Sequence, residues 1–157
     1  MRTPLALAKA LALLVPATAL AVAYGSQYFG GLVPCQMCWY QRYAHMAAFA
    51  IALVALVAKA RPLVWLAALA IAVSGGIGFY HAGVELHYFP GITECTATVT
   101  ADSNMDYIKA IMASPMVRCD EIQWSFLGIS MAGWNAILSL SSALLILWLS
   151  LRRSRTA

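Results

Sequence analysis

The sequence predicts an all-α membrane protein, a four-transmembrane-helix bundle with one long loop between helices 3 and 4, on three observations. Of its 157 residues 62% are hydrophobic and only 10% charged, with a mean hydropathy of +0.77, whereas about a quarter of a soluble domain is charged. Four apolar stretches, residues 5–24, 39–58, 63–80 and 126–151, approach or exceed the roughly 20 residues that cross a hydrocarbon core of about 30 Å. Lipid offers the backbone no hydrogen-bond partners, so each stretch must be a helix. The connections between the first three are short, which makes neighbours antiparallel, and only residues 81–125 form a long polar segment. Residues 1–157 therefore read as a single integral-membrane domain with no internal repeat.

Charge sets the orientation. Arg2, Lys9, Lys59, Arg61, Arg152, Arg153 and Arg155 lie at the two ends of the chain and in the turn between helices 2 and 3, which four spans bring to one side. All six acids, Glu85, Glu94, Asp102, Asp106, Asp120 and Glu121, fall between helices 3 and 4. By the positive-inside rule both termini are expected in the cytoplasm and the loops 25–38 and 81–125 outside, in a bacterium the periplasm, where disulfides persist. The sequence pI near 9.0 then reports orientation and not nucleic-acid binding. The first stretch has a second reading, since Arg2 and Lys9 resemble a signal-peptide n-region and Ala21-Val-Ala23 a cleavage site. Either way the cysteines face outward.

The second span opens on Pro34-Cys-Gln-Met-Cys38-Trp-Tyr-Gln-Arg42. Proline suits a first helical turn, which predicts Cys35 and Cys38 in that turn, where free N–H groups and the helix dipole favour thiolates. Arg42, four residues after Cys38, shares their face. A charged residue inside a span costs roughly 2.5–3.5 kcal/mol when central and less near the headgroups. It has two readings: an anchor within an aromatic belt of Trp39, Tyr40 and Tyr43, or the stabiliser of the Cys38 thiolate and of a reduced electron acceptor. His45 continues the stripe and reads first as a packing histidine.

The third span carries Gly75-Gly-Ile-Gly78, small enough for close helix approach, and ends near His81 and His87, either an interfacial residue or a neighbour of Arg42. In the long loop Cys95 and Cys119 bracket Met105-Asp-Tyr-Ile-Lys-Ala-Ile-Met112, an amphipathic stretch capped by Ser103 and predicted to lie on the membrane surface. This pair alone could be a structural staple. Beside a CxxC on the same face it could instead exchange disulfides with it, a relay from a soluble protein to an acceptor in the bilayer. A zinc site of all four cysteines has little support, since only one CxxC is present. The fourth span is expected to begin near Trp124, with Gly128 and Ala132 on a small-residue packing face.

Together these residues resemble the DsbB family of disulfide bond formation proteins, inner-membrane thiol oxidases that reoxidise a DsbA-like periplasmic thiol oxidase and pass the electrons to quinone. The resemblance runs from the first helix to about Asn135 and is most specific in the Pro34–Arg42 motif, the Cys95 loop preceded by His81, and Cys119-Asp-Glu-Ile-Gln-Trp-Ser-Phe-Leu-Gly-Ile-Ser-Met-Ala-Gly-Trp134-Asn. It implies a quinone, ubiquinone or menaquinone, as cofactor, disulfides joining Cys35 with Cys38 and Cys95 with Cys119, and no metal. Cys38 would face the quinone with Arg42 and His81 as neighbours, Cys95 would form the mixed disulfide with the partner, and Cys119 would resolve it. A second histidine, His87, and a short first outer loop depart from the family pattern. Vitamin K epoxide reductase-like proteins share a four-helix bundle with two cysteine pairs, but there the loop pair comes first. The reading from another class is a non-enzymatic membrane subunit whose disulfides are structural.

Overall fold

Four helices long and apolar enough to cross a membrane account for most of the computed structural model, which describes residues 4–58, 60–91 and 118–152. Helix α1 spans Pro4–Tyr28, α2 Gln36–Ala58, α3 Arg61–Glu85 and α4 Met131–Leu151. Cys95, the amphipathic stretch with Ser103 and Asp106, and the charged residues Arg2, Lys59, Glu94, Asp102, Arg153 and Arg155 lie outside the described residues.

Helix α3 is the hub, packing most extensively against α4 and then α2, while α1 covers α2 and α4 from the other side. Its glycines explain the first contact. A Cβ on Gly75 would stand 2.9 Å from Leu140 Cγ, and one on Gly78 2.9 Å from Ala132 O and 3.0 Å from Asn135 Nδ2. The close approach expected from these glycines thus occurs, toward α4. It brings the side chain of Asn135 against the α3 backbone.

Helix α4 begins later than hydropathy places it. Ser125–Phe126 (β1) and Ile129–Ser130 (β2) form a two-stranded antiparallel hairpin, with Leu127 and Gly128 at its tip at φ 54° and 76°, as a two-residue hairpin turn demands. Gly128 is therefore a turn residue and not part of a helical packing face. Hydropathy missed the hairpin because Phe126, Leu127 and Ile129 are as apolar as the helix that follows. Ser130 starts α4 as its N-cap, accepting a bond from Gly133 N at 3.1 Å. Trp134 Nε1 donates back to Phe126 O at 3.0 Å and ties the hairpin to the helix.

At the opposite end the core is built from small residues. Ala8 and Ala12 of α1, Ala48, Ala52 and Ala55 of α2, Val64, Ala67, Ala68 and Ile71 of α3, and Ala143 and Ile146 of α4 are buried together. Lipid tails are as apolar as leucine, so in a bilayer such interfaces hold by backbone approach and van der Waals contact.

Candidate active site

Cys35 occupies the N-cap of α2. Its carbonyl accepts the first helical bond, from Trp39 N at 3.2 Å, and its sulfur accepts from Cys38 N at 3.4 Å, in the manner of a capping oxygen. One turn thereby brings the two sulfurs to 3.2 Å, with the Cys35 thiol donating to Cys38 Sγ. That bond, followed by burial, pushes the Cys35 thiol up from its ordinary 9.0 to about 12, against the opposing pull of His81. At Cys35 the Cys38 contact and burial thus oppose the thiolate-favouring effect expected of the helix terminus.

The far end of α3 supplies His81, whose Nε2 lies 3.5 Å from Cys35 Sγ and whose Nδ1 lies 3.0 Å from Gln41 Nε2. Gln41 also donates to Met37 O at 3.2 Å. A carbonyl accepts only a donor, so this contact identifies the amide nitrogen, and Gln41 must donate to His81 Nδ1 as well. In a neutral ring the proton is then on Nε2, aimed at Cys35. The backbone of Cys119 also reaches the His81 ring. Glu85, one turn further along α3, holds a buried carboxylate 3.9 Å from His81 Nε2, in contact with Ser130. Sequence reasoning counted Glu85 only as a loop charge. Its signal was the i, i+4 spacing from His81 at the end of an apolar span, where ionisable residues are functional by default.

Arg42 is 6% exposed and bound by α1, donating to Gln27 Oε1 and to Ala23 O, the latter at 2.9 Å. Its guanidinium lies 4.8 Å from the Tyr24 ring centre and 5.0 Å from that of Trp39. His81 and Arg42 are turned to different neighbours, the first to Cys35 and Gln41 and the second to α1, but both line one cavity. His87 is instead exposed in the turn after α3, at φ 60°.

Below Cys35 a polar network crosses the bundle. Asn135 Nδ2 donates to Gln41 Oε1 at 2.8 Å and to Ser74 O at 3.2 Å, Ser74 Oγ donates to Gln41 O at 3.1 Å, and Asn135 Oδ1 meets His45 Nε2 at 2.9 Å and Ser139 Oγ at 2.9 Å. The sequence showed Asn135 only as the end of a motif. Nothing but the α3–α4 contact reveals that it joins three helices.

Cys119 is buried among Cys35, Met37 and Val84, with Cys38 and Tyr80 packed against the cluster, so one cysteine of the long loop sits with the CxxC. Its expected partner Cys95 lies outside the described residues. The donor atoms of Cys35, Cys38 and His81 fall within 4.8 Å of one another and could hold a thiophilic cation.

A cavity of about 1190 Å³ adjoins the cluster, lined by Cys35, Cys38, Arg42, His45 and His81 and extended along α1 and α4 by Val15, Leu20, Leu138 and Ser142. A mainly apolar cleft with a few convergent polar groups is the usual form of a small-molecule site.

Comparisons with known proteins identify the family. The family described as Disulfide bond formation protein DsbB matches residues 6–149. Relatives named Disulfide bond formation protein B include one from Azoarcus sp. (strain BH72), 33% identical over 133 residues and 78% of each chain. One from Marinobacter nauticus is 30% identical over 157 residues, 91% of this chain and 90% of the relative, and one from Polaromonas sp. 30% identical over 162 residues, 94% and 92%. No solved structure matches significantly. With a family match over nearly its whole length and four spanning helices, the chain belongs to the DsbB family of membrane disulfide bond formation proteins.

Proposed function

We propose that this protein is a quinone-dependent thiol oxidase of the bacterial inner membrane, with both termini in the cytoplasm, that reoxidises a DsbA-like periplasmic dithiol protein. In balance, two partner thiols become a disulfide while one quinone becomes a hydroquinone, and two electrons and two protons move. The observation that carries the reading is the burial of Cys119 against Cys35 and Cys38, which themselves line the cavity, since disulfide exchange between two pairs requires their sulfurs to meet.

The residues present suit a quinone head: a mainly apolar cleft that runs along α1 and α4 and is lined also by Cys38 and Arg42. When bound, a quinone supplies the two-electron acceptor. A partner thiolate attacks the Cys95–Cys119 disulfide at Cys95 and releases Cys119 as a thiolate, and the partner's second thiol then displaces Cys95, so that the partner leaves as a disulfide and the loop pair as a dithiol. The resulting loop dithiol reduces the Cys35–Cys38 disulfide, and Cys38 faces the acceptor. His81 Nε2–H steadies sulfur charge on Cys35 whenever its proton leaves, and Gln41 keeps the ring in the tautomer that does so. Arg42, held in place by Gln27 and Ala23, stabilises negative charge developing in the cavity.

The test is anaerobic mixing of purified, quinone-loaded protein with a reduced DsbA-like partner, following hydroquinone and partner disulfide together. Equimolar appearance of both is expected, and with a partner whose second thiol is replaced by serine a mixed disulfide through Cys95 accumulates. A partner that stays reduced, or cysteines that thiol trapping never finds reduced during turnover, would leave the disulfides structural.

A further inference from the structure

His45 has a nitrogen that the network does not use. Asn135 Nδ2 donates to the carbonyl of Ser74, so Oδ1 is the oxygen and can only accept, and Ser139 already donates to it. His45 Nε2, 2.9 Å from the same oxygen, must therefore carry its proton. In a neutral ring Nδ1 is then a bare acceptor. It is buried and without a hydrogen-bond partner among the described residues, on a side chain only 3% exposed that lines the cavity. Packing alone would need only the Nε2 bond. A buried acceptor left open in a site is unfavourable until a donor arrives.

Position says which donor. His45 follows Arg42 by three residues and Cys38 by seven, so all three share one face of α2 and one cavity. A 1,4-quinone carries two acceptor oxygens and no donor, whereas its reduced form carries two O–H donors. We propose that His45 Nδ1 accepts a hydrogen bond from a hydroxyl of the reduced quinone, so that the cavity binds hydroquinone in preference to quinone. The inference rests on the quinone reading above and adds its inner contact. Preference for the reduced form favours electron flow from thiols into the cavity.

The test is equilibrium binding, by tryptophan fluorescence quenching, of a decyl-substituted benzohydroquinone to the fully reduced protein and of the matching benzoquinone to the fully oxidised protein, pairs that cannot exchange electrons. In His45→Leu the hydroquinone affinity is expected to fall about tenfold, the worth of one buried hydrogen bond, and the quinone affinity to stay within about twofold. His45→Gln, which keeps an acceptor oxygen, should recover part of the loss. Equal loss of both affinities, or loss of neither, overturns the inference and leaves the quinone reading intact. A wild-type protein that binds neither probe overturns both. A readout without any variant uses wild-type protein with nitrogen-15 histidine rings, where hydroquinone should shift a bare-nitrogen resonance; no shift overturns the inference.

Discussion

The two ends of the bundle are packed on opposite principles. Away from the cysteines, alanines of α1, α2 and α3 meet Val64, Ile71 and Ile146 in an apolar core, with Trp65 Nε1 donating to the buried Ser150 Oγ at 2.9 Å near the helix ends. At the cysteine end the same helices are joined by Gln41, Ser74, His81, Asn135 and Ser139, all buried or half-buried. Small apolar residues hold helices close without specifying chemistry, whereas a connected polar network sets which atom donates and which accepts. Disulfide bond chemistry needs the second kind of order, and the first supplies the rigid frame for it.

The sharpest break of this contrast is Cys38→Ser. It should take quinone reduction to background, while Ala52→Ser in the apolar core leaves it within about twofold of wild type, as followed by hydroquinone formation with reduced partner. A Cys38→Ser protein that turned over normally would remove the chemistry from this end.

Next comes pH. Because the folded Cys35 thiol is raised from 9.0 to about 12, its alkylation in the dithiol protein should stay slow through neutrality and climb about tenfold per pH unit across that window. An ordinary thiol would level off just above 9.0. The raised value also means stability fully present below 9.0 and lost as pH rises toward about 12. Mass-resolved alkylation of Cys35 and thermal melts across the range are the measurements.

Asn135→Leu and Ala68→Leu compare the two ends directly. The first strands the oxygen of Gln41 and the N–H of His45, and the second overpacks a wholly buried alanine. Each is expected to cost about 1–3 kcal/mol in detergent unfolding. Only Asn135→Leu should alter the alkylation rate of Cys35, through Gln41 and His81. Equal effects on Cys35 would mean the network carries no information between helices.

Arg42→Met removes the guanidinium while keeping length. Steady-state kinetics with quinone varied should show about a tenfold loss in kcat/KM for quinone and nearly unchanged exchange between Cys95 and the partner, with Arg42→Lys recovering part. Unaltered quinone kinetics in a normally inserted protein would make Arg42 only a clamp for α1.

The smallest effect lies within α3. Gly76 has open space where a Cβ would stand, so Gly76→Ala should stabilise the helix by about 0.4–1 kcal/mol. Gly78→Ala, pressed on Ala132 O and Asn135, should destabilise it instead. Paired melting curves decide, and the same sign for both would deny the close α3–α4 contact its role.

The sequence by itself determined the four-helix membrane class and the place of CxxC at a helix mouth, because the bilayer demands long apolar helices and Pro34 stands just ahead of one. It also named Arg42 and His81 as polar residues at span ends. Only tertiary structure decided their partners. Arg42 turned to Gln27 and Ala23 of α1, His81 to Cys35 and Gln41, and Cys119 came to rest against the CxxC, contacts between residues far apart in the chain that no periodicity records. The hairpin before α4 escaped hydropathy because its residues are as apolar as a span. Most of all, Asn135 and His45 became chemically meaningful only once Gly75 and Gly78 let α3 and α4 approach, for a side chain's role as donor or acceptor is fixed by the atoms it meets.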